Sequence, residues 1–141
     1  MRRGILVLGL LLTVPGVVVA QDAALTRAAS TARQLWARQD AQGLAGLGGR
    51  ILVQLPGADP SAPVSRQQAA ALLRGFFQRT DEVETTVAGA KEVANGLAYV
   101  ELRRRYRTRG TQETREQTVL LSFRRAGAGW VLVELRVGGE R

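Results

Sequence analysis

The chain has 141 residues, 45% of them hydrophobic, which is enough for one buried core and too many for a disordered chain. It holds no histidine and no cysteine, which excludes disulfides, a lipid anchor on cysteine, most transition-metal sites and the commonest acid–base side chain. The formal charge of +8 invites a nucleic-acid reading, but every basic residue except Lys91 is arginine amid heavy Ala, Gly, Leu and Val use, the mark of a compositional bias, and no nucleic-acid partner is expected.

Met1 to Ala20 carries Arg2 and Arg3, an apolar stretch from Gly4 to Leu12, a Pro15-Gly16 break and small residues before the end. This reads as a secretory signal peptide over residues 1–20, followed by a single domain over 21–141. Thr13 and Pro15 interrupt the run, which is shorter than the roughly 20 residues a spanning helix needs, so no stable membrane anchor is expected. The chain is thus expected to be exported, periplasmic or secreted.

Leu25, Ala28, Ala29, Ala32, Leu35 and Trp36 recur at helical spacing, predicting a helix over about residues 24–39 with a face of small residues. Asp40 stands where a second, short helix would begin, with Gly48-Gly49 as its stop and a strand from Arg50 to Leu55 after it. Ser65 and Gln68 form a capping box, and Ala69, Leu72, Leu73, Phe76 and Phe77 follow on one helical face. Truncating Phe76 or Phe77 to Ala should cost about 3–5 kcal/mol if the ring is fully buried.

Four long strands follow, over Glu82–Lys91, Leu97–Arg109, Glu113–Arg125 and Trp130–Val137. Asn95-Gly96 marks a hairpin turn with positive φ at both central residues. With Gly110 and Thr111 as the next loop, Leu102 faces Val119, Val100 faces Leu121 and Ala98 faces Phe123. With a three-residue loop at 126–128, Phe123 faces Val131, Leu121 faces Val133 and Val119 faces Leu135, giving one aliphatic face. The other face carries Tyr99, Leu120, Trp130 and Leu132 rimmed by charges, a patch that reads as a homodimer contact. Helices first and antiparallel strands afterwards predict an α+β fold, a strongly bent antiparallel sheet wrapped over an N-terminal helix, a short second helix and a third capped helix.

The order of elements resembles the nuclear transport factor 2-like superfamily, carried by Asp40-Ala-Gln-Gly-Leu44 after the first helix, Ser65 to Phe77 as the third helix, and Gly129-Trp-Val-Leu-Val-Glu-Leu-Arg136 as the closing strand. The resemblance covers nearly all of residues 21–141 and is closest to small exported bacterial members of unknown function. It implies a cone-shaped domain. Enzymes of that superfamily, such as ketosteroid isomerase, scytalone dehydratase and polyketide cyclases, place a carboxylate or a histidine in the cone, often with a tyrosine.

The aliphatic face and helices would then enclose an interior of Trp36, Leu72, Phe76, Val100, Leu102, Val119, Leu121 and Val133, which serves equally as a pocket for a small apolar ligand or as filled core. Arg104, Tyr106, Arg115 and Gln117 also face inward and are expected as the solvated tip of a long ribbon or as a polar mouth. Glu101 and Glu134 point away, so no inward carboxylate pair is expected, and Asp40 is explained as a helix cap. The reading is therefore a non-catalytic domain with no cofactor and no metal, binding a small apolar ligand or forming a dimeric interaction module. The alternatives are an isomerase- or dehydratase-type enzyme using Asp40 and Tyr106, and polyanion binding through Arg103 to Arg109.

Overall fold

The structure, a computed structural model, describes the backbone of residues 16–138 and the side chains of residues 23–138. Most of the expected signal peptide therefore lies outside the described residues. Helix α1 (Gly16–Ala37) buries Leu25, Ala29, Ala32 and Trp36, one face repeating every three to four residues. It ends at Gln39, whose φ of 53° lies in the left-handed region where glycine normally closes a helix. Helix α2 (Ala41–Ala45) is a single turn, capped by the Asp40 carboxylate accepting from the Gly43 N–H at 2.8 Å. It stops before the expected Gly48-Gly49, because Gly48 already belongs to strand β1 (Gly48–Gln54). A Cβ on Gly48 would collide with the Leu132 carbonyl oxygen, so the close approach of the two strands at this point requires a residue with no side chain.

Helix α3 (Arg66–Phe77) starts with the complete Ser65–Gln68 capping box. It buries Ala69, Ala70, Leu73 and Phe77, while Phe76 is partly buried against the core. Leu72, expected inside, is 41% exposed. The helix is tilted about its axis so that Ala69, Ala70 and Leu73 hold the inner face.

Strands β2 (Thr80–Ala94), β3 (Leu97–Thr108), β4 (Thr114–Ala126) and β5 (Gly129–Val137) form an antiparallel meander, and β1 adds to β5 in parallel. The sheet is therefore mixed, in the order β1-β5-β4-β3-β2. In the β2–β3 turn only Gly96 takes positive φ, at 77°; Asn95 does not, and the Glu92 carboxylate instead accepts from the Gly96 N–H. The β3–β4 register holds pair for pair, with Ala98, Val100 and Leu102 facing Phe123, Leu121 and Val119.

The β4–β5 register differs from expectation. Ala126 pairs with Gly129, leaving a two-residue loop in which Gly127 has φ 59°. An irregularity between Ser122 and Phe123 then inserts one residue into β5, so Phe123 faces Leu132 while Leu121 faces Leu135 and Val119 faces Val137. A bulge reverses side-chain alternation beyond it. Leu132, Leu135 and Val137 thus point into the core, and Val133 is half-exposed.

Candidate functional site

The interior contains a charge. Arg104, on the inner face of β3, has no surface that water can reach. Its Nε donates to Glu82 Oε1 at 2.9 Å, Nη1 to Gln117 Oε1 at 3.3 Å and Nη2 to Thr80 Oγ1 at 3.1 Å. Three rings surround the same guanidinium, with centroids 4.2 Å away for Tyr106, 5.1 Å for Phe76 and 5.4 Å for Trp36. α1 supplies Trp36, α3 supplies Phe76, and neighbouring strands supply the rest, so the cage exists only when helices and sheet are assembled. Trp36 also meets Phe77 edge-on at 4.9 Å, fixing the ring from the far side.

Burial acts on both charges. It raises the Glu82 carboxyl above its usual range, and the adjacent Arg104 offsets only part of that shift. It lowers Arg104, again against the favourable effect of Glu82. The Trp36 indole N–H and the Thr85 hydroxyl face Glu82 and favour its charged form. Neither closes a hydrogen bond of normal geometry, and Trp36 Nε1, Thr85 Oγ1 and Glu82 Oε2 are all buried without one. Chemically this is a charge pair locked inside an aromatic shell, with one carboxylate oxygen outside any hydrogen bond of normal geometry.

The expected site residues fall into two groups. Trp36, Val100, Leu102, Val119 and Leu121 come together in the interior, each with no more than a trace of reachable surface, and Phe76 lines it from α3. Leu72 and Val133 lie outside it. Arg104, Tyr106 and Gln117 are buried at 0%, 3% and 5% exposure, so they are core and not the solvated tip of a ribbon; only Arg115 is part-exposed, against Glu113. Glu82 was not anticipated as an inward carboxylate, and it is the one whose burial matters. Asp40 is occupied as the cap of α2, whereas Tyr106 stacks on Arg104.

The outer face changes as well. Leu132 is fully buried, and Trp130 packs against the core with the Arg125 guanidinium 4.9 Å over its ring. Tyr99 at 38% exposure and half-buried Leu120 stay on the outside, joined by half-exposed Val131 and Val133 of β5 and Leu52 of β1. Tyr99 pairs across the ladder with Ser122, which is only 3% exposed. The Arg-rich run divides likewise. Arg105 pairs with Glu84 at 2.9 Å, not with Glu116 directly opposite, and Arg109 with Asp81 at 3.3 Å. Among the described residues no group of three His, Cys, Asp or Glu is placed to hold a metal, and no helix is long and apolar enough to cross a membrane.

Neither a family model nor a curated protein matches the sequence. The fold, by contrast, has many solved counterparts. A ketosteroid isomerase-like protein from Erwinia carotovora atroseptica superposes with a TM-score of 0.68 at 14% identity, over 82% of this chain and 92% of that one. A DUF4783 family protein from Bacteroides ovatus gives 0.62 at 16% identity, over 77% and 91%. A hypothetical protein of ketosteroid isomerase-like fold from Catenulispora acidiphila, solved in complex with trimethylamine, gives 0.62 at 12% identity, over 90% and 87%. The chain has the nuclear transport factor 2-like fold, a curved, unclosed sheet over three helices.

Proposed function

We propose that this protein is an exported, non-catalytic domain that works through its outer sheet face as a homodimeric interaction module, not as a binder of small apolar ligands. The observation that carries this reading is the interior itself. Trp36, Val100, Leu102, Arg104, Val119 and Leu121 present no surface to a water-sized sphere, so they pack on one another and leave no open chamber. The buried Arg104–Glu82 pair is packed among these same residues, against Trp36. An enzyme using Asp40 and Tyr106 gains no support, since the first is a helix cap and the second is a wall of the arginine cage.

The remaining apolar surface supports a contact between two copies. Leu52, Val131, Val133, Leu120 and Tyr99 cross four adjacent strands, with Glu134 between Leu52 and Ser122 and with Arg136 and Glu101 on either side of Leu120, an apolar face interspersed with charges of both signs that can pair across a contact. Such a face meets its own copy about a two-fold axis. Native mass spectrometry of the chain after signal cleavage should give a doubled mass without a retained small molecule. Tyr99→Glu should return it to monomer. A monomeric wild type carrying an apolar compound would overturn both halves of the reading.

A further inference from the structure

At the end of the molecule where α1 and α3 both finish, a shallow hollow of about 310 Å³, wide open to solvent, is lined by Arg38, Gln39, Arg74, Phe77, Gln78 and Arg109. Its three arginines come from three separate places in the chain: the end of α1, the last turn of α3 and the β3–β4 turn. Elsewhere on the surface Arg105, Arg115, Arg125 and Arg136 hold carboxylates, while Arg103 and Arg124 stand singly and not in a converging group. Arg38 and Arg74 make no side-chain hydrogen bond or ion pair among the described residues. Two acids stand near it and both are engaged, Asp81 with Arg109 and Asp40, next to Gln39, as the cap of α2. Arg79, joined through its carbonyl to the Arg109 N–H, and Arg107, opposite Asp81 in the ladder, add two more positive charges beside it.

Helix C-termini attract cations, and two helices end here. That attraction is not anchored by hydrogen bonds, because backbone donors take several of the last carbonyls and neither Arg38 nor Arg74 donates a side-chain hydrogen bond to any of them. Arg38, Gln39 and Asp40 N–H bond to Gln34, Trp36 and Leu35, and Gln78 and Arg79 N–H to Arg74 and Phe76. Gln39 adds an independent sign. It is the only non-glycine residue with positive φ among the described residues, and glycine would close α1 there without strain. A glutamine instead places an amide in the wall, tethered by Nε2 to the Thr80 carbonyl at 2.8 Å.

We propose that this hollow binds a phosphomonoester. Planar guanidinium forks from three directions match the oxygens of a dianionic phosphate, and the hollow leaves room for the group that carries it. The same chemistry is presented by a soluble sugar or glycerol phosphate and by the headgroup of phosphatidic acid. The full chain should be titrated calorimetrically with glycerol 3-phosphate, and separately with phosphatidylcholine vesicles with and without phosphatidic acid. Saturable binding, one phosphate per chain, is expected in at least one arm, and the arm that responds names the source. Arg38→Gln and Arg74→Gln should each weaken binding about tenfold or more. Arg103→Gln and Arg105→Gln, on the outer sheet face, should leave it unchanged. No binding in either arm, or equal losses in both pairs of variants, overturns the site.

Discussion

Arg104 and Glu82 stand 2.9 Å apart where water reaches neither well, so the two act as a unit. Removing one side chain strips the other of its partner: Glu82→Leu, which takes the acceptor of Arg104 Nε away, or Arg104→Met should each cost about 3–5 kcal/mol. The double variant should recover most of that loss, because an apolar pair of similar volume fits the aromatic cage as well as the ions do. Urea unfolding of the four proteins checks this cycle, and additive losses would refute it. The pair also predicts a pH dependence. Burial holds the Glu82 carboxyl above its ordinary 4.5, so the folded chain keeps that proton more tightly than the unfolded chain. Stability from this group is complete below about pH 4.5 and declines as pH rises through the raised value. Wild type should therefore lose stability relative to the double variant over that interval, read as melting temperature against pH. A constant difference would show that Glu82 titrates normally. Glu82 escaped the sequence because strand alternation places it outside. Counted straight from the Asn95-Gly96 turn, it falls opposite an outward position of β3. The ladder instead slips three times, at Glu82/Glu84, Val87/Gly89 and Glu92/Ala94, and an odd number of slips turns the side chain inward, opposite Tyr106.

Elements whose signals are local were legible, and those set by distant partners were not. Ser65 and Gln68 announce the start of α3 because both halves of the cap lie within one turn. Ser65→Ala should cost about 1 kcal/mol, read as a lower denaturation midpoint at unchanged slope. Asp40 likewise announces α2. The β3–β4 register followed from apolar pairing alone, since that hairpin has no irregularity. The β4–β5 register failed at its turn, which spans two residues and not three and so reverses Trp130, Leu132 and Val133; the bulge beyond Leu132, which leaves no trace in composition, then returns Leu135 to the interior. Gly48 shows how a distant partner gives meaning to a residue that looked like a helix stop. Gly48→Ala drives a Cβ against the Leu132 carbonyl and should destabilise by about 1–3 kcal/mol. The amides of β1 that bond to β5 should then exchange with deuterium sooner than those of β3 and β4. Uniform loss of protection across the sheet would mean that β1 has no separate weakness.

For the whole molecule, the curved sheet has one face filled by helices and by a caged ion pair, and another with apolar residues at half exposure. Leu120→Arg should oppose a two-fold contact at that face while leaving the fold intact. Light scattering over a range of concentrations should give one chain per particle for this variant and two for wild type; two for both would move the contact elsewhere. The order β1-β5-β4-β3-β2 puts the last of the five strands second in the sheet, between the first strand and the fourth. A ribosome making this chain from its N-terminus therefore releases β1 long before its only ladder neighbour exists. Helices and the β2–β3–β4 meander emerge first, but the parallel seam waits for Gly129–Val137. Synthesis and completion of the fold are separated in time. A nascent chain stalled at Ala126 should stay sensitive to protease at Gly48–Gln54, whereas the finished chain should resist. For a protein proposed to cross a membrane before folding, that interval is when translocation machinery can hold it extended.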